Sequence, residues 1–361
     1  MLKHEHVFER RVCTVLRLVV SALILSSCLS GCMSARLDEA AWQDQRLSAV
    51  WPRALETPRI KILQVISGPR DVVEASSSVV RKVFDYIVGS KEEFIDFYTP
   101  QCIAADGNGL IYIADPSIGM VHKYNLASKE VQYIFQAGDK RLASPVGVVL
   151  DADNNLYISD AQHAAVFKYG PDGTFLRELD GKGNLRRPAG IALRSNGDKL
   201  VADSQADKVF IFGKDDAFKG ELAGADFTES FNRPTYLAVD KQDNVYVTDT
   251  MNFTVRVFDA NGKYLRSQGQ IGDMPGSFAR PKGVAVDSDR NLYVVDSIFG
   301  NFQIFNQKGQ LLLYVGQEGA LPGEFMLPSG IFIDRNDRIY ISDTFNHRIQ
   351  IYQYLKEKVK Q

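Results

Sequence analysis

Six prolines, Pro100, Pro145, Pro188, Pro234, Pro281 and Pro328, head segments 43 to 47 residues long. No other feature of the chain constrains the fold as much. One unit reads Pro281-Lys-Gly-Val-Ala-Val-Asp287, then Asn291-Leu-Tyr-Val-Val-Asp296, then Phe302-Gln-Ile-Phe305, then Gln310-Leu-Leu-Leu-Tyr-Val315. Each run is short, rich in β-branched and aromatic residues, and bounded by Gly, Asn or Asp, as strands are. Pro171-Asp172-Gly173, Asn261-Gly262 and Lys308-Gly309 supply hairpin turns between the third and fourth runs. A repeat of this length with four strands is a propeller blade. One blade cannot bury both of its faces; a ring of blades can, and it leaves only short edges. The expected class is all-β: a six-bladed β-propeller with four-stranded antiparallel blades.

The repeats resemble the NHL-repeat family. Its motif is approximated by Pro328-Ser-Gly-Ile-Phe-Ile-Asp334 followed by Ile339-Tyr-Ile-Ser-Asp-Thr-Phe-Asn-His-Arg-Ile349. An aspartate ends the second strand of every unit: Asp115, Asp160, Asp203, Asp249, Asp296 and Asp343. Two departures stand out. The motif arginine survives only as Arg348, being replaced by Met120, Ala165, Lys208, Thr254 and Asn301. The motif glycine is replaced by Cys102 and Tyr236.

The last unit runs out of sequence after three strands, Gly330 to Ile333, Ile339 to Ser342 and Arg348 to Tyr354. Ile60-Lys-Ile-Leu-Gln-Val-Ile66 has the pattern of the missing fourth strand, so a strand over 60–67 is expected to close the ring and cover its open edge. Between it and the first blade, residues 69–99 form an insertion. Val79, Val80, Val83, Phe84, Ile87 and Val88 recur at helical spacing there, with Ser76 to Ser78 as N-cap and Gly89 as C-cap. One short helix is expected.

The N-terminus reads as an address. Lys3, Arg10, Arg11 and Arg17 precede an apolar run from Leu18 to Leu29, too short to span a bilayer and suited to a signal-peptide core. It ends in Leu29-Ser30-Gly31-Cys32, which resembles the lipobox of bacterial lipoproteins. That resemblance implies removal of residues 1–31, acylation of Cys32, and sorting to the outer membrane of a Gram-negative envelope, since Met33 rather than Asp follows. Several acyl chains anchor stably, each buried methylene contributing roughly 0.8 kcal/mol. Residues 32–58 then read as a polar tether, partly helical over Ala35 to Leu47, and 59–361 as the propeller with its repeats over 100–361. With Cys13 and Cys28 removed and Cys32 acylated, Cys102 stands alone in an apolar strand and reads as a buried, inert thiol.

For chemistry, active sites break symmetry and scaffolds repeat. The six strand-ending aspartates recur in every blade and read as turn and inter-blade acceptors. Asp151-Ala-Asp-Asn-Asn155 imitates a calcium loop but has Leu156 where Gly is required and Gln162 where Glu is required, so it reads as a turn. His122, His163 and His347 stand seven, three and four residues after their blade's Asp, unequal offsets that do not converge on one metal. No metal or other cofactor is implied. Arg187, Arg233 and Arg280 precede the proline in three consecutive units and Lys282 follows one. With Arg348 they form a candidate positive rim at the channel mouth, suited to a small anionic ligand.

The net charge of −2 removes the basic field that nucleic-acid binding requires. The sequence therefore reads as a lipid-anchored envelope propeller that is non-enzymatic, a binding or scaffold module for an envelope protein partner or a ligand. The alternative is a propeller enzyme with a metal in its channel, as in the amidating lyases or gluconolactonases that share this architecture.

Overall fold

The computed structural model describes residues 42–52, 57–73, 94–222 and 228–356. Cys32 and the segment read as a signal peptide, and the helix expected around residues 76–89, lie outside them. The chain folds as a six-bladed β-propeller. Five blades are consecutive in sequence and have four strands each, in simple up-and-down order. The second blade, for example, runs Pro145–Leu150, Leu156–Asp160, Ala165–Tyr169, Phe175–Glu178. The first strand of each blade lines the central axis and the fourth lies at the rim. Burial follows from that order: the second strands of the second to sixth blades are buried throughout, whereas the fourth strands of the fourth and fifth blades alternate.

The sixth blade takes its inner strands from Ile331–Ile333, Arg338–Asp343 and Arg348–Tyr354, and its fourth from Ile60–Ile66. Ile60 pairs with Tyr354 and Ile66 with Ile349, antiparallel, with one irregularity between Ile62 and Gln64. Ile60, Ile62 and Ile66 are fully buried. They face the layers on either side of this blade, among Tyr293, Phe302 and Tyr352 on one side and Ile111, Ile113 and Tyr340 on the other.

Over the described residues 42–52, the stretch read as a tether packs on the propeller. Val50–Trp51 adds a fifth strand to the sixth blade, pairing with Lys61 and Ile60. Trp42 is 2% exposed, edge-on to Tyr340, with the Arg338 guanidinium 4.1 Å from its ring centre. Residues 44–47 form a turn rather than a helix, Leu47 N donating to the Asp44 carbonyl. Both tryptophans of the chain lie in this polar stretch, and burying two such large rings holds it on the propeller.

The strand-ending aspartates are all buried and do the same job. Each accepts backbone N–H groups from the loop entering its own blade: Asp115 from Tyr98 and Thr99, Asp160 from Ala143 and Ser144, Asp296 from Ala279 and Arg280, Asp343 from Met326. Charge-assisted bonds of this kind fix the loop face of the disc. On the opposite face the first turn of every blade but the third, where Arg194 takes the position, is closed by its own carboxylate. Asp151 accepts from Asp153 N and Asn155 N, and Asp240 and Asp287 repeat the pattern. The calcium-loop lookalike is one of these turns.

Candidate functional site

The six inner strands enter the axis from the loop face; those of the second to fifth blades open on their proline, and those of the first and sixth begin three residues after it. The residue after the proline forms a first ring around the mouth: Gln101, Val146, Ala189, Thr235, Lys282 and Ser329. Only Lys282 in that ring is charged. One step deeper lies Cys102, Gly147, Gly190, Tyr236, Gly283 and Gly330. The glycines there are demanded by close approach of neighbouring inner strands. A Cβ on Gly330 would collide with the Gln101 carbonyl, and one on Gly190 would sit 2.6 Å from the Thr235 carbonyl. Tyr236 departs from this pattern, and its ring occupies the space at the axis. Its hydroxyl faces Ser329 and Cys102 across the channel, and burial pushes its pKa up.

Above Tyr236 is a mouth cavity of about 230 Å³. Five blades contribute to it, through Gln101, Ser144, Arg187, Ser204, Thr235, Tyr236 and Lys282 among others. Its walls hold two cationic side chains and several hydroxyls, and no carboxylate. Lys282 is half-buried and makes no ion pair or side-chain hydrogen bond among the described residues. Burial, and then the charge of nearby Arg280, pull its amine down to about 8. A cation held in such a place is a cost to the fold.

The sign of that cost is testable. Below pH 8 Lys282 is protonated in both the folded and the unfolded chain, and the full penalty applies. Between about 8 and its ordinary value of 10.5 the unfolded chain holds the extra proton, so stability rises with pH. Lys282→Met is therefore expected to stabilise the protein by about 1–3 kcal/mol at pH 7. The gain should shrink towards zero as urea unfolding is repeated up to pH 10.5.

Of the five cations singled out in the sequence, the structure brings Arg187 and Lys282 to one cavity. Arg280 is exposed beside Lys282, and Arg233 is exposed with its backbone N–H donated to Asp207. Arg348 is not a rim residue. It is 8% exposed, its Nε donates to Asp343 at 2.6 Å, and its other nitrogens donate to the carbonyls of Ala320, Leu321 and Glu324. In the fourth blade Arg256 does part of this work two residues further on, reaching Asp249 at 3.3 Å and Glu229 at 2.5 Å.

The three histidines are apart. His122 is fully buried among Phe97, Tyr124 and Tyr133, with its Nε2 3.6 Å from Asp115. His163 lies 3.2 Å from Asp160, and His347 meets the Tyr98 carbonyl through Nδ1. Among the described residues no three His, Cys, Asp or Glu side chains gather as metal ligands would. The channel and mouth linings contain no imidazole or carboxylate, so this donor set does not fit a channel metal. Cys102 lines the channel with its thiol pushed up by burial, the state of an unreactive cysteine.

A family model described as a six-bladed β-propeller matches residues 230–302 and 287–358. No curated protein sequence matches the chain. Among solved structures, the chain is similar to a protein of unknown function from Bacteroides thetaiotaomicron, at 19% identity over 71% of this chain and 70% of that one, with a TM-score of 0.60. A gluconolactonase from Xanthomonas campestris aligns at 16% identity over 72% and 87%, with a TM-score of 0.57. A streptogramin B lyase aligns at 16% identity over 73% and 85%, with a TM-score of 0.55. Likeness at these identities carries the fold and not an activity.

Proposed function

We propose that this chain is an NHL-type propeller lipoprotein of the cell envelope, anchored through Cys32, and that its ring is a binding module for a small anionic ligand held at the channel mouth. The mouth carries this reading. Its one charged ring position is a lysine without a counter-ion, Arg187 lies in the same wall, and nothing acidic lines the cavity. A carboxylate or phosphate entering there gains charge-assisted hydrogen bonds and relieves the penalty on Lys282. The anchor rests on the basic start, short apolar core and Leu29-Ser30-Gly31-Cys32.

Calorimetric titration of the purified propeller with acetate and inorganic phosphate tests the binding site. Affinity is expected to fall about tenfold or more in Lys282→Met, the loss of one charge-assisted contact at about 1.5–3 kcal/mol. In the wild type it should fall as pH rises through about 8, where the amine loses its proton. Binding that ignores both the substitution and the pH would remove the mouth from the proposal.

A second reading, docking of an envelope protein, is favoured by the loop face. Met251, Ile271, Met274, Ile298, Leu321 and Phe345 all project there from the fourth to sixth blades and are 45–68% exposed. Large apolar side chains clustered on one face mark interaction surfaces. Crosslinking in intact cells would recover the same partner with wild type and lose it with Phe345→Asp, if this face is the one used.

A further inference from the structure

Symmetry singles out one residue at the axis. Of the six positions that follow the prolines, only the one in the fifth blade, Lys282, is charged. Its backbone is fixed on the inner strand Pro281–Val286. The Lys282 carbonyl accepts from Thr248 Oγ1 at 2.7 Å, and the next N–H, of Gly283, donates to the Ser329 carbonyl at 2.8 Å. The side chain is therefore carried by rigid sheet and not by a loop. It belongs to the wall of the mouth cavity of about 230 Å³, whose other titratable members are Arg187 from the third blade and Tyr236 from the fourth. Arg280, on the loop leading into the same strand, is the further charge that acts on it. No carboxylate in this wall holds the amine as an ammonium ion.

We propose that Lys282 binds a small 2-oxo acid covalently, its amine condensing with the keto carbon to form an imine while Arg187 holds the carboxylate. The proposal rests on the mouth being an anion site, as argued above. A lysine becomes a nucleophile when it is desolvated or stands next to another cation, and both conditions act here, through burial and through Arg280. With the amine drawn down to about 8, about a tenth of it is neutral at pH 7, against well under a thousandth for a solvated lysine. The cavity holds roughly seven water-sized groups at ~30 Å³ each, enough for an acid of three or four carbons. The step balances. Counted from the ammonium form, two of its three protons leave with the ketone oxygen as water, and the C=O double bond is replaced by C=N. The iminium keeps the third proton and the positive charge, and nothing is oxidised or reduced. The site therefore carries the same charge before and after condensation, and the ligand's own carboxylate supplies the counter-ion that the wall lacks.

The test is reductive trapping. The whole propeller is incubated with pyruvate and cyanoborohydride, which reduces an iminium to a stable secondary amine, and the adduct is located by peptide mass mapping. Lys282 is expected to be labelled about a hundredfold faster at pH 7 than the exposed Lys241 and Lys308 in the same sample. That ratio should shrink towards one by pH 10.5, where all three amines are largely neutral. Arg187→Met should raise the pyruvate concentration needed for half-labelling about tenfold, while acetone, which has no carboxylate, is trapped equally by both forms. Lys282→Met should lose the fast adduct altogether. Lys282 labelled no faster than the exposed lysines would overturn the imine, and the anion site would still stand if acetate binds. Trapping of acetone on Lys282 as efficient as that of pyruvate would overturn the 2-oxo acid as the ligand. If pyruvate is not trapped and acetate does not bind, the anion site falls and this inference with it.

Discussion

Asp216→Ala is expected to cost about 3–5 kcal/mol of folding free energy at pH 7, because it strands a buried cation. Asp216 is 4% exposed and stands in the turn between the third and fourth strands of the third blade. From there it reaches its neighbours in two blades. Lys199, 2% exposed, lies 2.5 Å from it; Lys168 donates at 3.2 Å, Tyr157 at 3.1 Å, and Arg177 also donates to it. Tyr157, Lys168 and Arg177 belong to the second blade and Lys199 to the third, so one carboxylate ties two blades together. Burial alone would raise its pKa, but the bonds from Lys199 and Arg177 outweigh it and hold the carboxyl below its usual 3.8.

A folded value below the unfolded one means the contribution is complete above about pH 4 and lost as pH falls through the folded value. Urea unfolding of wild type and Asp216→Ala should therefore differ most at neutral pH and converge in acid. Asp216→Asn keeps the shape but not the charge, and should fall between them. A difference that stayed constant down to pH 2 would show that the effect is packing and not the ion cluster.

Ile62→Asp is the second large effect. Ile62 sits opposite Tyr352 in the strand that completes the sixth blade and is wholly buried. A carboxylate there has no partner, and burying one without compensation costs several kcal/mol. Ring closure sharpens the consequence. If Ile60–Ile66 peels away, the edge of Arg348–Tyr354 is bare, and a bare edge pairs with other chains. Loss of about 4 kcal/mol or more and soluble aggregates on gel filtration are expected. Lys61→Asp, one residue away on a half-buried position, should stay within about 1 kcal/mol of wild type and remain monodisperse.

The blades were legible in the sequence because their signals are local. A proline stands at or just before each inner strand, an aspartate closes each second strand, and turn residues fall at fixed offsets between them. The strand at Ile60–Ile66 is rich in β-branched residues and ends at Ser67-Gly68 as a blade's fourth strand does, so it too could be read before its partner was known. Val50–Trp51 could not, since a two-residue strand has no period. The burial of Trp42 depends on Arg338 and Tyr340, nearly 300 positions away along the chain.

The site was only partly legible for the same reason. Five cations carry the right charge for a rim, and nothing local distinguishes them. Arg348 drops out because carbonyls more than 20 residues away hold it, and Arg233 because it does not line the cavity. Lys282 stands out only when the six residues after the prolines are seen as one ring. The replacement of a motif glycine by Tyr236 was visible as a departure. That its hydroxyl reaches Ser329 and Cys102 across the channel follows only from the geometry of the axis.

The anion site turns on the state of one amine. Selective labelling of lysine side chains and NMR titration of the whole propeller, with Lys282→Met to assign the signal, measures it directly. The Lys282 amine is expected to titrate near 8 in the free protein and to move upward when acetate is added, as a desolvated cation does on gaining a counter-ion. A value at the ordinary 10.5, unmoved by acetate, would mean that the amine is solvated and that the mouth is not an anion site.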